Sequence, residues 1–484
     1  MHANIVGLIY EQARLRPEAA ALITDQGVIS YAELKRYVSI LARYLRDQGV
    51  KPGQVVGIAM LHTPLHLVTI LALAQVGAVS LPLHPAVPAE RCLLAARRFG
   101  ADCVVSGIKD FALEALNFID LSKVSFEVGS SEDDFIYPAT SDTPMRVAIS
   151  SGTSGNPKGM LLTHGLVALR NQTFETDMTS LSRVLPVDLN FIVGFRPAMS
   201  ALARGVSIVL PSSLAVGNMF DSMIRHRVTH VYLSPLQARD MVELVVANNV
   251  ACPELVCLRI GGGLISADLL RAAMTKLSPN VYASYGSTES GMVTYATPEM
   301  LLRHPDATGR VCECATVEIV DDDGNLLPVG TTGQMRIRSS HQVSGYYCDE
   351  ARTQQHFRGE WFYPGDLGHF DAEGLLYMDG RVDEQINIGG VNINPEDIEV
   401  TLAAHPAVID AGVFVAQKNK DYGVSAVALV LSEPSRLKEI QTYASAKLGP
   451  LAPALYFIAS SLPRTETGKL KRGELADFYF SKPT

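Results

Sequence analysis

Between residues 30 and 106 the apolar positions switch repeatedly between two spacings. Ser30, followed three residues later by Glu33, has the form of a capping box, and Leu34, Val38, Leu41 and Leu45 share one helical face. Gly49 can close that helix, and the apolar run of residues 55–60 then predicts a buried strand. Residues 64–83 are the most apolar stretch. His66, Gln75, Gly77, Ser80 and Pro82 interrupt it, so it predicts a buried helix running into a buried strand rather than a membrane span. The same rhythm continues through residues 91–100 and 102–106. Repeated β-α-β units predict an α/β architecture with mainly parallel sheets.

Beyond about Asp306 the pattern changes. Short runs at residues 317–320, 334–338 and 375–378, set between Gly and Asp turns, predict a β-rich part. Asn394, Pro395 and Asp397 supply the N-cap, N1 and N3 positions of a helix, and residues 424–431 read as a strand. The polar segment 381–385 marks the expected boundary. Two domains are therefore expected: a large one, residues 1–382, and a small α+β one, residues 383–484.

A length of 484 residues agrees with two domains, since it exceeds what one core usually supports. With 47% hydrophobic and 19% charged residues the chain is a folded globular protein. A net charge of −9 argues against a nucleic-acid partner, which needs a concentrated basic surface. The first twenty residues lack the basic-then-apolar order of a secretory leader, so a cytoplasmic location is expected. Seven cysteines are scattered. Cys312 and Cys314 are too close for zinc-ligand spacing, and free thiols are expected.

The densest chemical signal is Ser150, Ser151, Gly152, Thr153, Ser154, Gly155, Asn156, Pro157, Lys158, Gly159, which follows a strand-like run at 146–149. Glycines let backbone N–H groups approach phosphate oxygens, hydroxyls add donors, and Lys158 brings a mobile positive charge. A flexible Gly/Ser surface loop is the ordinary alternative, but hydroxyls, glycines and a Pro-Lys-Gly ending within ten residues make it a poor one. It is not a Walker A loop, because no Gly-Lys-Ser/Thr follows the glycines.

This decapeptide resembles the phosphate loop of the adenylate-forming superfamily: acyl- and aryl-CoA synthetases, nonribosomal adenylation domains and firefly luciferases. Further matches follow in the family's order along nearly the whole chain. Gly261, Gly262 and Gly263 resemble its glycine turn beside adenine and the acyl pocket. Tyr285, Gly286, Ser287, Thr288 and Glu289 resemble the next motif; the resemblance implies that Tyr285 stacks on adenine, Thr288 bonds the α-phosphate and Glu289 holds Mg²⁺. Read alone, that pentapeptide is a strand end followed by a capped helix. Gly345 and Tyr346 come next. Asp366 stands where the family's aspartate accepts both ribose hydroxyls, with Pro364 replacing the usual Thr or Ser. Arg381 would contact ribose or phosphate, and Asp383 would be the hinge of a mobile C-terminal domain. Gly389 and Gly390 would border the pantetheine tunnel. Lys469, in Pro463-Arg-Thr-Glu-Thr-Gly-Lys469, would be the catalytic lysine.

The implied activity is ATP- and Mg²⁺-dependent conversion of a carboxylic acid to its acyl-adenylate, then thioester formation. Residues 185–194 should line the acid pocket. Amino-acid-activating relatives place an aspartate there to pair the substrate ammonium; counted without gaps from Gly205, Ile192 takes that position here, with Asp188 the substitute should a gap intervene, so an α-amino acid is not expected. Asn190 and Phe191 resemble the Asn and aromatic of aryl-acid-activating members, although Leu189 and Phe195 depart from their usual His and Ser. Asn190 could equally be a structural loop residue. Gly194, Phe195, Ser234 and Gly263 complete the expected lining. CoA is the expected acceptor, with the phosphopantetheine of an acyl or aryl carrier protein as the alternative. A luciferase-like oxygenase would share every ATP motif. A catalytically dead nucleotide-binding protein would have no chemical need for Lys158, Glu289, Asp366 and Lys469 together.

Overall fold

The computed structural model describes residues 4–107, 116–127, 135–150, 157–172, 178–250, 252, 255–262, 265–382, 386–388, 391–393, 395–417, 423–448, 452–465, 468, 470–472 and 474–475. The capping box at the start of the helix Tyr31–Asp47 is complete: the Glu33 N–H donates to Ser30 Oγ at 3.2 Å, and the Ser30 N–H donates to Glu33 Oε2 at 2.8 Å. Leu34, Val38, Leu41 and Leu45 are all buried on its inner face. The helix Pro64–Val76 is buried on every side from His66 onward, and Gly77, left-handed at φ 86°, turns the chain into the strand Val79–Pro82. Gln75 survives inside this core because its amide accepts from the Tyr10 hydroxyl (2.5 Å) and donates to the Phe135 carbonyl (3.0 Å).

Two large sheets follow from the β-α-β rhythm. One has six strands in the order Asn117–Asp120, Ala101–Ser106, Val55–Ile58, Val79–Pro82, Pro144–Ser150, Lys158–Thr163; its first five pair in parallel, and the last pair is an antiparallel hairpin. The other has nine strands. Its parallel centre runs Val281–Ser287, Cys257–Gly261, His230–Leu233, Arg183–Leu185, Ser207–Leu210, Ala20–Thr24, with antiparallel strands at both edges. The β-rich part predicted after residue 306 is a six-stranded sheet that includes Ala315–Val320, Gly333–Ser339, Asp366–Phe370 and Leu376–Arg381. At the C-terminus, Val408–Gln417, Gly423–Leu431 and Leu455–Ile458 form a separate sheet packed by the helices Pro395–Ala403 and Leu437–Leu448. Its own core includes Ile398, Leu402, Val413, Val427, Leu429 and Ile440. The architecture is α/β: a large N-terminal domain of mainly parallel sheets with a β-rich part, and a small α+β C-terminal domain. Among the described residues no helix is long and apolar enough to cross a membrane.

Past the C-terminal end of Val55–Ile58 lies a buried polar cluster. Arg146 donates to the carbonyls of Leu189 (2.8 Å) and Asn190 (3.1 Å), and its guanidinium lies 4.7 Å over the Phe195 ring. Burial holds His62 down to about 4 and His66 to about 3, so both are neutral at pH 7. An unfolded chain protonates these rings below about 6.5, whereas the fold refuses the proton until far lower pH. Their contribution is therefore complete above about pH 6.5 and is lost as pH falls toward the folded values, at about 1.4 kcal/mol per unit for each ring. The unfolding free energy from urea titration should drop between pH 7 and pH 5, and His66→Gln should reduce that drop by roughly 2 kcal/mol. Parallel pH profiles for the two proteins would contradict this account.

Candidate active site

In open α/β sheets, ligands collect beyond the carboxyl ends of the parallel strands. Gly261, Ser287 and Ser234 all stand at such ends, on neighbouring strands of the nine-stranded sheet. Tyr285 to Glu289 do not lead into a helix, contrary to the reading of the pentapeptide alone. The strand Val281–Ser287 reverses directly into Gly291–Ala296. The Ser287 and Ser290 hydroxyls bond each other (3.0 Å) and each other's backbone N–H (3.1 and 3.3 Å), and Gly291 takes φ 74°, which favours reversal over a helical turn. A Cβ on Gly286 would collide with the Gly291 carbonyl across this hairpin.

Around the hairpin the structure brings together residues far apart in the chain. The Tyr285 hydroxyl donates to Asp366 Oδ2 (2.5 Å), Arg381 Nη1 donates to Asp366 Oδ1 (2.6 Å), and Arg381 Nη2 donates to the Pro364 carbonyl (3.2 Å). Burial and the Asp366 carboxylate push the Tyr285 phenol well above its usual range, so it stays a donor. Tyr285 and Arg381 thus hold the Asp366 carboxylate from both of its oxygens. Pro364, which lacks a hydroxyl, still serves through its carbonyl.

A second group centres on Glu289, only 8% exposed. The Tyr346 hydroxyl donates to Glu289 Oε1 (2.9 Å), and Lys158 Nζ sits 5.8 Å over the Tyr346 ring. Lys158 opens the strand that pairs with Ser150, so the two ends of the phosphate loop are held opposite one another. The loop itself, Ser151, Gly152, Thr153, Ser154 and Gly155, lies outside the described residues. Among the described residues no three His, Cys, Asp or Glu side chains are grouped to hold a metal. A cation at Glu289 would take its other ligands from phosphate oxygens and water, as Mg²⁺ does at phosphate sites.

Sequence reasoning missed Arg170. From the helix His164–Gln172 it donates to the Thr288 carbonyl (3.0 Å) and twice to the His341 carbonyl (3.0 and 2.6 Å). Burial lowers it only to about 10, so the guanidinium remains charged at pH 7. An arginine on a short helix has no local signature that tells it from a surface charge.

The sequence profile of the AMP-binding enzyme family matches residues 9–347, and that of the AMP-binding enzyme C-terminal domain matches residues 397–469. The chain belongs to the AMP-binding enzymes. It is 29% identical to indoleacetate–CoA ligase of Aromatoleum aromaticum over 96% of both chains, and 26% identical to 2-succinylbenzoate–CoA ligase of Bacillus subtilis over 97% of both. The solved structure of o-succinylbenzoate CoA synthetase from Bacillus subtilis with its acyl-adenylate intermediate superposes with a TM-score of 0.88 at 26% identity, covering 97% of each chain.

In this AMP-binding enzyme the expected acid-pocket residues divide. Asn190 is buried; its amide N–H donates to Asp188 Oδ1 (2.8 Å) and the Met60 carbonyl (3.2 Å), so its donors are committed inside the protein. Burial pushes the Asp188 carboxyl up, but bonds from His84 (2.9 Å) and Asn190 outweigh it and hold the group at about 2. A Cβ on Gly194 would strike the Val187 and Asp188 carbonyls, which is why glycine stands in the first turn of the helix Ile192–Ala203. Phe195 is buried beneath Arg146, while Phe191 stays partly open and stacks 6.1 Å from His84. Tyr232, also missed, packs its hydroxyl where a Cβ on Gly261 would sit at 2.7 Å. Gly262 is left-handed at φ 84°, and Gly263 lies outside the described residues. Ser234 caps the helix Pro235–Asn248 by accepting from the Gln237 N–H (3.2 Å). Gly468, the residue before Lys469, approaches this serine: a Cβ there would be 4.0 Å from Ser234 Oγ. Arg239 Nη1 also donates to the Ile409 carbonyl at 2.5 Å, joining the two domains on the same side. Lys469, Asp383, Gly389 and Gly390 lie outside the described residues.

Proposed function

We propose that this AMP-binding enzyme uses ATP to convert a carboxylic acid, an aryl acid by preference, to its acyl-adenylate and then transfers the acyl group to CoA. The observation that carries the reading is the bonded set Tyr285–Asp366–Arg381 beside Glu289–Tyr346–Lys158. It gathers an aromatic face, a hydroxyl acceptor, two cations and a buried carboxylate from five separate motifs. The similarity to named aryl-acid CoA ligases over almost the full length supports CoA over a carrier-protein phosphopantetheine. We place the domain boundary at 382/383 with Asp383 as the hinge, and the site of action in the cytoplasm.

The attacking carboxylate is ionised near pH 7, so the chemistry needs no general base. The difficulty is bringing an anion to a polyanion. Lys158 stands beside the phosphate loop to neutralise the leaving pyrophosphate, and Lys469 would act between carboxylate and α-phosphate. Asp366 would accept the ribose hydroxyls while Arg381 fixes its orientation. Mg²⁺ held at Glu289 would supply Lewis-acid stabilisation of the phosphates.

Acid-dependent pyrophosphate release, screened over aryl, alkyl and α-amino acids with and without CoA, tests the reading. A release step that needs no acid, or one driven best by α-amino acids, would overturn it. Asp366→Ala should weaken ATP about ten- to a hundredfold through the ribose. Wild type should lose affinity for 2′,3′-dideoxy-ATP relative to ATP, whereas the variant should barely distinguish the two. Equal discrimination by both proteins would remove Asp366 from ribose recognition.

A further inference from the structure

Cys312 and Cys314 take no part in the chemistry above, yet the fold gives them a defined setting. They bracket a tight turn between the strands Arg310–Val311 and Ala315–Val320. The Ala315 N–H donates to the Cys312 carbonyl (2.9 Å), and the Cys312 N–H donates to the Val293 carbonyl (2.8 Å). Residues i and i+2 of such a turn keep their α-carbons within the roughly 4.4–6.8 Å that a disulfide can bridge. Cys312 is buried and Cys314 partly exposed.

The opposite strand brings an imidazole to the same corner. Ala315 pairs with Ser339, and the next residue, Ser340, donates its N–H to the Cys314 carbonyl (3.0 Å). Buried His341 follows directly. It packs over Gly291, where a Cβ would lie 2.8 Å from its own, and the Cys314 thiol donates to the carbonyl of the adjoining Met292 at 3.8 Å. The cluster does not form a metal-holding group.

We propose that Cys312 and Cys314 form a hydroperoxide-oxidisable pair, in which Cys314 is the attacking thiolate and Cys312 the resolving thiol. Cys314 Sγ attacks the O–O bond and keeps one oxygen as a sulfenic acid; the other oxygen leaves and takes up a proton as water or an alcohol. The Cys312 sulfur, giving up its proton, then attacks the sulfenyl sulfur, the S–S bond forms and water departs. The two thiols lose two electrons and the hydroperoxide gains them. The electrostatics agree in direction: the neighbouring Cys312 thiol, with help from His341, lowers Cys314 below the usual thiol range and favours its thiolate. The Cys314 sulfur and burial push Cys312 up, against the lowering pull of the Arg259 charge, as suits a thiol that reacts only in the second step.

Hydrogen peroxide treatment of the full-length protein, followed by alkylation and tryptic digestion, reads the reaction directly. Peptide 311–336 carries both cysteines with no internal Lys or Arg. We expect it to become two hydrogens lighter and unalkylated, and dithiothreitol to restore both free thiols. In Cys312→Ser, dimedone should trap a sulfenic acid on Cys314, whereas in Cys314→Ser the peptide should give no adduct. Alkylation of Cys314 should slow less steeply from pH 8 to pH 6 than that of a free small-molecule thiol, which slows about tenfold per unit. Retention of both free thiols while exposed Cys348 is oxidised would overturn the proposal. So would a dimedone adduct on Cys312 in Cys314→Ser.

Discussion

Replacing Lys469 by alanine lowers acid-dependent pyrophosphate release by about a hundredfold or more, the expected loss of some 3–4 kcal/mol when one charge-neutralising group is removed from a transition state. The residue is assigned from its motif, Pro463-Arg-Thr-Glu-Thr-Gly-Lys469, and from the position of its neighbour Gly468 against Ser234, at the carboxyl end of a central strand. A carboxylate approaching the α-phosphate accumulates negative charge between two anions, and an ammonium aimed there is worth more in the transition state than in either ground state. The thermal midpoint should be unchanged. Thioester formation from supplied acyl-adenylate should survive, because that half-reaction involves no attack on phosphate. Pyrophosphate release near the wild-type rate would remove Lys469 from the chemistry.

Arg170→Met is expected to cost roughly 2–5 kcal/mol of stability and to slow adenylation as well. Methionine fills similar space and relieves the burial of a charge, but it leaves the Thr288 and His341 carbonyls without their donor. Those carbonyls fix the far side of the hairpin that carries Glu289, whose own carbonyl is tied to the Val343 N–H at 2.8 Å. The turnover number should therefore fall more than the apparent affinity for the acid, since a misplaced Glu289 costs most where charge develops. Arg170→Lys should recover part of the stability, because a single ammonium cannot fork between both carbonyls. An unfolding free energy from urea titration for Arg170→Met within about 0.5 kcal/mol of wild type would show that the guanidinium holds nothing in place.

Local chemistry made much of the fold legible. The Ser30–Glu33 box and the turn at Gly77, where the buried helix gives way to a strand, are contacts between near neighbours, so their signals survive in a short window. The strand-like run before the phosphate loop was legible the same way; its antiparallel pairing with Lys158–Thr163 was supplied by the structure. Asn190 shows where this stops. An amide has donors and an acceptor whatever it faces, so its type admitted both a substrate contact and a structural one. The structure commits its donors to Asp188 and Met60, the latter 130 residues away.

What the sequence determined by itself was the succession of elements and the order of the phosphate, adenine, ribose and lysine motifs, because each rests on residue types at fixed short spacing. The reversal after Tyr285 was decided only in three dimensions: Ser287, Ser290 and Gly291 favour a hairpin once Gly291–Ala296 can complete the sheet edge. The joining of Tyr285, Asp366 and Arg381, the placing of Lys158 over Tyr346, and the fork of Arg170 onto Thr288 and His341 were decided the same way. Each joins groups tens to hundreds of residues apart, and the energy of such a contact depends on distance and burial, which the sheets and helices set only when they pack together.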